Sequence, residues 1–161
     1  MHNSDSLPAG DCQFCRNEII KKSFCSTSQF SAIYNIAPIV PGHSLIIPNT
    51  HYISLFELSD QELGEMMVFA RKVTRILQTV FQCDGFDWSV QDGISAGQSV
   101  QHLHLHIVPR KPHDMTDGTE WYSKLSQNAV PAPDSQHRVK LEDEVYNAIT
   151  AKLTEASSSI Q

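Results

Sequence analysis

Three histidines alternate with leucines near the middle of the chain: His102, Leu103, His104, Leu105, His106, followed by Ile107 and Val108. A period of two is the period of a β-strand, in which side chains two apart share a face. The segment is therefore expected to form a strand with three imidazoles on one face and an apolar row on the other. Buried rings need hydrogen-bond partners, and crowded rings disfavour charge on one another. Such a row suits a site that needs neutral imidazoles, either to bind a metal or to attack an electrophile. Alternation alone does not choose among the three.

The loop before the row is Asp92-Gly93-Ile94-Ser95-Ala96-Gly97-Gln98-Ser99. Glycines let a backbone turn sharply and let N–H groups converge on an anion. Gln98 and Ser99 add neutral donors. Alone this reads as a hairpin turn. Next to His102 it sets phosphate donors beside candidate nucleophiles.

The chain has 161 residues and a net charge of −6, enough for one compact domain. The acidic balance removes the basic footprint that a long polynucleotide partner requires. No apolar run approaches the ~20 residues of a membrane span. The first six residues lack the basic-then-apolar order of a signal peptide, so a cytoplasmic location, with the nucleus also open, is expected. Cys12 and Cys15 are spaced C-x-x-C, a metal or redox signature in an intracellular protein. Cys25 and Cys83 read as small buried hydrophobes.

Residues 1–10 read as a disordered tail. Strands are expected over Phe30 to Ile36, His43 to Pro48, and Phe86 to Gln91, with Phe86, Trp88 and Val90 on one face. The capping box Ser59-Asp60-Gln61-Glu62 opens a long helix. Its apolar positions are Leu63, Met66, Met67, Ala70, Val73, Leu77, Val80 and Phe81, and Gly85 ends it. The histidine strand should end at Pro109. A polar, mobile stretch from Arg110 to Gly118 follows, then a short helix over 119–127 around Trp121, Tyr122 and Leu125. Pro131 and Pro133 mark a linker. Leu141, Val145, Ala148, Ile149 and Leu153 outline a C-terminal helix with an acidic, solvated start at Glu142-Asp143-Glu144. His2, His113 and His137 sit in polar segments and read as solvated. The fold class is α+β: an antiparallel meander sheet with one long helix and a C-terminal helix. The domain is set at 11–127, with 128–161 as linker, helix and tail.

His102-Leu103-His104-Leu105-His106-Ile107 resembles the histidine triad motif of the HIT superfamily of nucleotide hydrolases and transferases. Asn35, Pro38 and Pro41-Gly42-His43 resemble its N-terminal signature. Gln91-Asp92-Gly93 and Ala96-Gly97-Gln98-Ser99-Val100 resemble its phosphate loop. Pro109-Arg110-Lys111 resembles the Fhit branch. The likeness runs from Phe30 to Lys111 and implies a HIT-like fold. It implies His104 as the nucleophile that attacks the α-phosphorus of a nucleotide, giving an AMP–histidine intermediate. It implies His106 at the phosphate and bridging oxygen, and His43 as support for the histidine network. Gln91, Gly97, Gln98, Ser99 and Val100 would hold the phosphates, and Asn35 the ribose.

Some members bind structural zinc through an N-terminal C-x-x-C, a histidine after the second strand and the first triad histidine. The corresponding residues here are Cys12, Cys15, His51 and His102. Two thiolates and two imidazoles suit a tetrahedral ion. Fhit itself lacks the cysteine pair, so this chain joins a zinc-type N-terminus to a Fhit-like centre.

The resemblance implies hydrolysis of dinucleoside polyphosphates of the Ap3A or Ap4A type, with Mg2+ accompanying the substrate. Gln91 favours this reading, because a neutral amide can grip a bridging phosphate. The alternatives are a Hint-like adenosine phosphoramidase and a nucleotide-binding sensor with low turnover. A catalytic metal on all three histidines would need a nearby carboxylate ligand, and none sits at an evident spacing. A homodimer is also expected. Val68 and Ile76 widen the apolar face of the long helix, which would lie at a two-fold interface. Part of the C-terminal segment would reach toward the partner's site.

Overall fold

The computed structural model describes residues 12–114 and 138–160. The expected tail at 1–10, the short helix at 119–127, the proline linker, His2 and His137 lie outside the described residues. The elements in chain order are α1 (Asn17–Ile20), β1 (Cys25–Ser26), β2 (Phe30–Tyr34), β3 (Ser44–Pro48), α2 (Asp60–Phe81), β4 (Gly85–Val90), β5 (Leu105–Arg110) and α3 (Asp143–Ser159). Short 3-10 turns at Gln13–Cys15, Leu55–Glu57 and Ile94–Ala96 join them. The five strands form one antiparallel sheet in the order β1-β2-β3-β5-β4. The α+β architecture is as expected. Among the described residues, no helix is long and apolar enough to cross a membrane.

Both faces of the sheet are covered, which is why every residue of β2 and β3 is buried. Phe30, Ala32, Tyr34, Ile46, Leu105 and Ile107 join α2 and α3 in the main core. Ile33, Leu45 and Ile47 meet Cys12 and Phe14 in a second cluster. The N-terminal segment is thus a cover over the sheet face opposite the helices.

β2 and β3 pair from Phe30 opposite Pro48 to Tyr34 opposite Ser44. Gly42 turns the chain between them with φ of 97°, a region that favours glycine. Leu45 and Ser89 flank His106 on the neighbouring strands. That register carries the histidine into the middle of the sheet.

The Ser59 cap is present in full: its side chain accepts from the Glu62 N–H, and Glu62 returns to the Ser59 N–H. The helix ends at Phe81, the last of its expected apolar positions. Gln82 takes the left-handed position (φ 51°), and Gly85 instead opens β4. Phe69 and Ile76 are buried in the core, while Met67 and Val68 are exposed. Ile76 therefore does not widen an outer apolar face. The reason is that α2 packs against α3 as well as the sheet. In α3, Tyr146 and Leu153 are the buried pair and Val145 is exposed. The Tyr146 hydroxyl donates to the Tyr34 carbonyl at 3.2 Å. The described part of the C-terminal segment thus packs on its own chain. Cys25 and Cys83 are half-buried.

β5 starts at Leu105, not at His102. The backbone leaves the ladder because the Leu103 N–H donates to the Tyr52 carbonyl and the His102 N–H to the Val100 carbonyl. Sidedness survives: Leu103, Leu105 and Ile107 all enter the main core. The strand runs through Pro109 to Arg110. The first part of the following polar stretch is pinned. Arg110 pairs with Asp114 at 2.8 Å and with Asp87 at 3.0 Å.

A Cβ at residue 42 would lie 2.7 Å from Pro109 Cγ and 3.0 Å from Phe81 Cδ2. Gly42→Ala should therefore destabilise the fold by about 1–3 kcal/mol through strain at positive φ and overpacking. Urea unfolding of the two proteins at equal m-value checks this, and an unchanged midpoint would contradict it.

Candidate active site and metal centre

His102, His104 and His106 are all buried on the sheet face under the N-terminal cover. The rings of His104 and His106 lie 4.9 Å apart by centroid. His43, on the turn entering β3, brings its Nε2 to 2.9 Å from His106 Nδ1. The four imidazoles form one row from the turn to the metal-ligand set.

Backbone groups decide where the protons sit. The Ile39 N–H donates to His43 Nδ1 at 3.2 Å, which leaves the His43 proton on Nε2. That proton is donated to His106 Nδ1, so the His106 proton is on Nε2. His104 Nδ1–H donates to the His102 carbonyl at 2.7 Å. The lone pair of His104 is therefore on Nε2. Alternation leaves the three histidines equivalent; these bonds distinguish them. Burial first, then the neighbouring His104, His43 and Arg138, push His106 well below its ordinary value of 6.5. It stays neutral.

Asn35 sits beside this row. Its Oδ1 accepts from the Ala37 N–H at 2.9 Å, and its Nδ2 lies 3.5 Å from His43 Nε2. Next to it is a cavity of about 250 Å³ bounded in part by Phe14, Ile33, Asn35, Leu45, Val100 and Tyr146. Its walls are mainly apolar side chains, with the Asn35 amide as a polar mark. That composition suits a flat, partly polar ligand.

The glycine loop turns sharply at both glycines, with φ of 92° at Gly93 and 91° at Gly97. Its donors are used differently. Gly97 N–H bonds to Ile94, and Gln98 N–H to Gly93. The Gln98 side chain accepts from Gly93 N–H and donates to the Ile53 carbonyl, each at 2.8 Å. Gln98 thus shapes the loop and ties it to the segment after β3. Asp92 makes the same tie through Ser54 and the Leu55 N–H. Gln91 Nε2 donates to Ser89 Oγ at 2.7 Å, next to His106 in the ladder. Ser99 is exposed and Val100 half-buried at the cavity.

Cys12, Cys15, His51 and His102 converge. Their ligand atoms all lie within 4.8 Å of one another. His102 Nδ1 is 3.4 Å from Cys12 Sγ and 3.5 Å from Cys15 Sγ, and His51 Nδ1 is 3.2 Å from Cys15 Sγ. A tetrahedral ion with bonds of about 2.0–2.3 Å needs N···S edges of about 3.5 Å. The set fits a metal ion. His102 Nε2 lies 2.9 Å from the Pro48 carbonyl, a bond that keeps Nδ1 available as the ligand atom. Burial holds His102 down to about 4, against the pull of that carbonyl. Burial first, then the hydrogen bond that Cys15 donates to Cys12 and the Cys12 charge, push the Cys15 thiol up to about 11, so a bound ion would displace a proton there.

Two side chains at this site have no place in the sequence reading. Phe14 lies inside the C-x-x-C and packs edge-on against His102 at 5.8 Å and His104 at 5.4 Å. An aromatic between two metal ligands was the available signal. Arg138 donates from Nε to the Ala37 carbonyl at 2.6 Å. It lies 32 residues beyond the last triad histidine in the sequence, and no local pattern marks it.

The HIT domain family model matches residues 16–113. The asymmetrical bis(5'-nucleosyl)-tetraphosphatase of Schizosaccharomyces pombe is 36% identical over 115 residues, which are 71% of this chain and 63% of that protein. The bis(5'-adenosyl)-triphosphatase of Dictyostelium discoideum is 31% identical over 67% of this chain and 72% of its own length. The chain thus spans about two thirds of these two relatives. Among solved structures, a hypothetical histidine triad nucleotide-binding protein from Sulfolobus tokodaii superposes with a TM-score of 0.72. It is 26% identical, with 92% of this chain and 93% of that one covered. A Zn-bound histidine triad family protein from Mycobacterium smegmatis shares the fold, with a TM-score of 0.67 at 24% identity over 94% and 99% of the two chains. With the buried histidine row, its backbone-set protons and these matches together, the chain belongs to the HIT domain family.

Proposed function

We propose that this protein cleaves dinucleoside polyphosphates of the Ap3A or Ap4A type at the α-phosphate, through an AMP–histidine intermediate on His104. The hydrogen bond from His104 Nδ1–H to the His102 carbonyl carries this reading. It aims the lone pair outward on Nε2 and stabilises the charge that the ring gains on attack. The His104 Nε2–P bond forms as the P–O bond to the rest of the polyphosphate breaks. His106 Nε2–H, held by the His43 relay, hydrogen-bonds the oxygen that leaves. Water then breaks the P–N bond and releases AMP. The names of the fission yeast and Dictyostelium relatives support this substrate class.

In this reading Asn35 contacts the ribose beside the cavity. Gln91, Gly97, Gln98, Ser99 and Val100 frame the phosphates, with Gln98 acting through the loop it shapes. The metal is a structural Zn2+ on Cys12, Cys15, His51 and His102, supported by the sulfur-nitrogen donor set. Any Mg2+ would arrive on the substrate. The proposed location is the cytoplasm, with the nucleus also open. Two copies pair through α2 and the edge strand β4. Val68 (59% exposed), Met67 (40%) and Phe86 (45%) support that interface.

His104→Asn should lower turnover of Ap3A and Ap4A at least ~10³-fold while still binding AMP. A substrate panel that includes an adenosine phosphoramidate checks both reaction and substrate. Near-normal hydrolysis by the variant would remove His104 as nucleophile, and preference for the phosphoramidate would replace the substrate class.

Elemental analysis should find one Zn2+ per chain, lost in Cys12→Ser. Removing the metal should lower the thermal midpoint by about 10 °C, the size expected for losing a few kcal/mol in a chain of this length. Metal-free protein of unchanged midpoint would contradict a structural role.

Light scattering should give about twice the 18.0 kDa chain mass, and Val68→Glu should shift the mass toward the monomer. A wild-type monomer at micromolar concentration would refute the pairing.

A further inference from the structure

The cavity beside Asn35 has polar groups at its mouth as well as apolar walls. Gln13, Lys22 and Lys140 line it, and all three are exposed. Among the described residues that line it there is no carboxylate. Its tyrosine hydroxyls are already engaged: that of Tyr34 accepts from the Gly42 N–H at 3.2 Å, and that of Tyr146 donates to the Tyr34 carbonyl. The Asn35 oxygen is held by the Ala37 N–H. The side chains left to meet a ligand edge are therefore one neutral amide and two ammonium groups. An amide can present either its donor or its acceptor end, whereas an ammonium only donates.

Both lysines belong to the β1–β2 end of the sheet. Lys22 lies between α1 and β1, and its Nζ stands 5.4 Å from the centroid of the Tyr146 ring. That cation–π contact holds the ammonium against a residue of the cavity wall. Lys140 adjoins Leu141, whose N–H donates to the Ile36 carbonyl at 2.8 Å, just past the end of β2. The glycine loop joins β4 to β5, at the other edge of a sheet ordered β1-β2-β3-β5-β4. The step from β2 to β5 crosses β3 and is about 10 Å. A nucleotide whose phosphate meets His104 and the loop, and whose ribose meets Asn35, turns its base toward the lysines.

We propose that Lys22 and Lys140 select a 6-oxopurine, the base of guanosine and inosine, over adenine in this cavity. This rests on the reading of the site as a nucleotide site and concerns only the base; the reaction at His104 is the same for either. A 6-oxopurine presents adjacent acceptors at O6 and N7, an edge that a lysine ammonium matches as donor. Adenine carries an amino group in place of O6, and an ammonium repels its protons. With no carboxylate among the described lining residues, that amino group meets no charged acceptor. Gln13 can turn either end of its amide to the base, so it does not discriminate. The preferred members of the substrate class are then those with guanosine at the cleaved end.

The test is calorimetric binding of inosine, adenosine, IMP and AMP to the full-length protein. Inosine differs from adenosine only in carrying O6 and N1–H where adenosine carries the amino group and a bare N1. Inosine should bind about 5- to 20-fold tighter than adenosine, the size of a charged hydrogen bond weakened by exposure. IMP should exceed AMP by a similar ratio. Lys22→Met and Lys140→Met keep an apolar stem and remove the charge. Each should lower the ratio, and the double variant should bring it to about one, by weakening inosine and IMP. Adenosine binding as tightly as inosine would overturn the proposal, and so would a preference that survives in the double variant. Equal losses for IMP and AMP with neither nucleoside affected would assign the lysines to the phosphate and overturn the base assignment as well. If wild type binds none of the four ligands, the nucleotide reading itself falls, a result distinct from binding without preference.

Discussion

Placing four imidazoles in the interior of a protein is costly unless their nitrogens are satisfied without charge. Here that constraint is met by main-chain groups at fixed points of the fold. The Ile39 N–H sets His43, His43 sets His106, and the His102 carbonyl sets His104. Each bond fixes a tautomer as well as a ring position. The same bonds leave the lone pair of His104 and the proton of His106 on Nε2. In the proposed reaction, chemistry and stability therefore rest on one set of contacts.

Those contacts depend on both coverings of the sheet. On one side, α2 and α3 bury Leu103, Leu105 and Ile107, which holds the histidine segment in register even where it leaves the ladder. On the other, the N-terminal segment lays Phe14 over His102 and His104. That cover is a short 3-10 turn of three residues with little helix stability of its own. The cysteines at its ends stand beside His51 and His102, so an ion bound there would clamp the cover onto the sheet. His102 joins the two regions: its ring belongs to the metal set, and its carbonyl holds His104.

The glycine loop illustrates how a motif can keep its shape while its donors change duty. Gly93 and Gly97 adopt the positive φ that their identity allows. Gln98 then closes the loop on itself and anchors it to Ile53. With Asp92 bound to Ser54 and Leu55, the loop is fixed to the segment after β3. A rigid frame of this kind holds the residues that follow, Val100 and His102, at a constant distance from the cavity.

The sequence by itself determined the α+β class, the sidedness of the histidine row and the capping of α2, which follow from local patterns: a repeat of two and a Ser-x-x-Glu box. The C-x-x-C marked Cys12 and Cys15, and the resemblance to the HIT superfamily implied His51 and His102 beside them. Tertiary structure decided what depends on partners distant in the chain. Tyr52 pulls Leu103 out of the ladder, so β5 begins three residues beyond His102 rather than at it. α3 covers a flank of α2, so Ile76 is buried and the outer apolar face is narrower than its pattern implies. Backbone carbonyls and N–H groups, which carry no letter in a sequence, decide which imidazole nitrogen holds the proton. Arg138 reaches the site only because α3 docks on the core through Tyr146 and Leu153. No period or motif encodes a contact that spans 101 residues; it exists only once the chain has closed on itself.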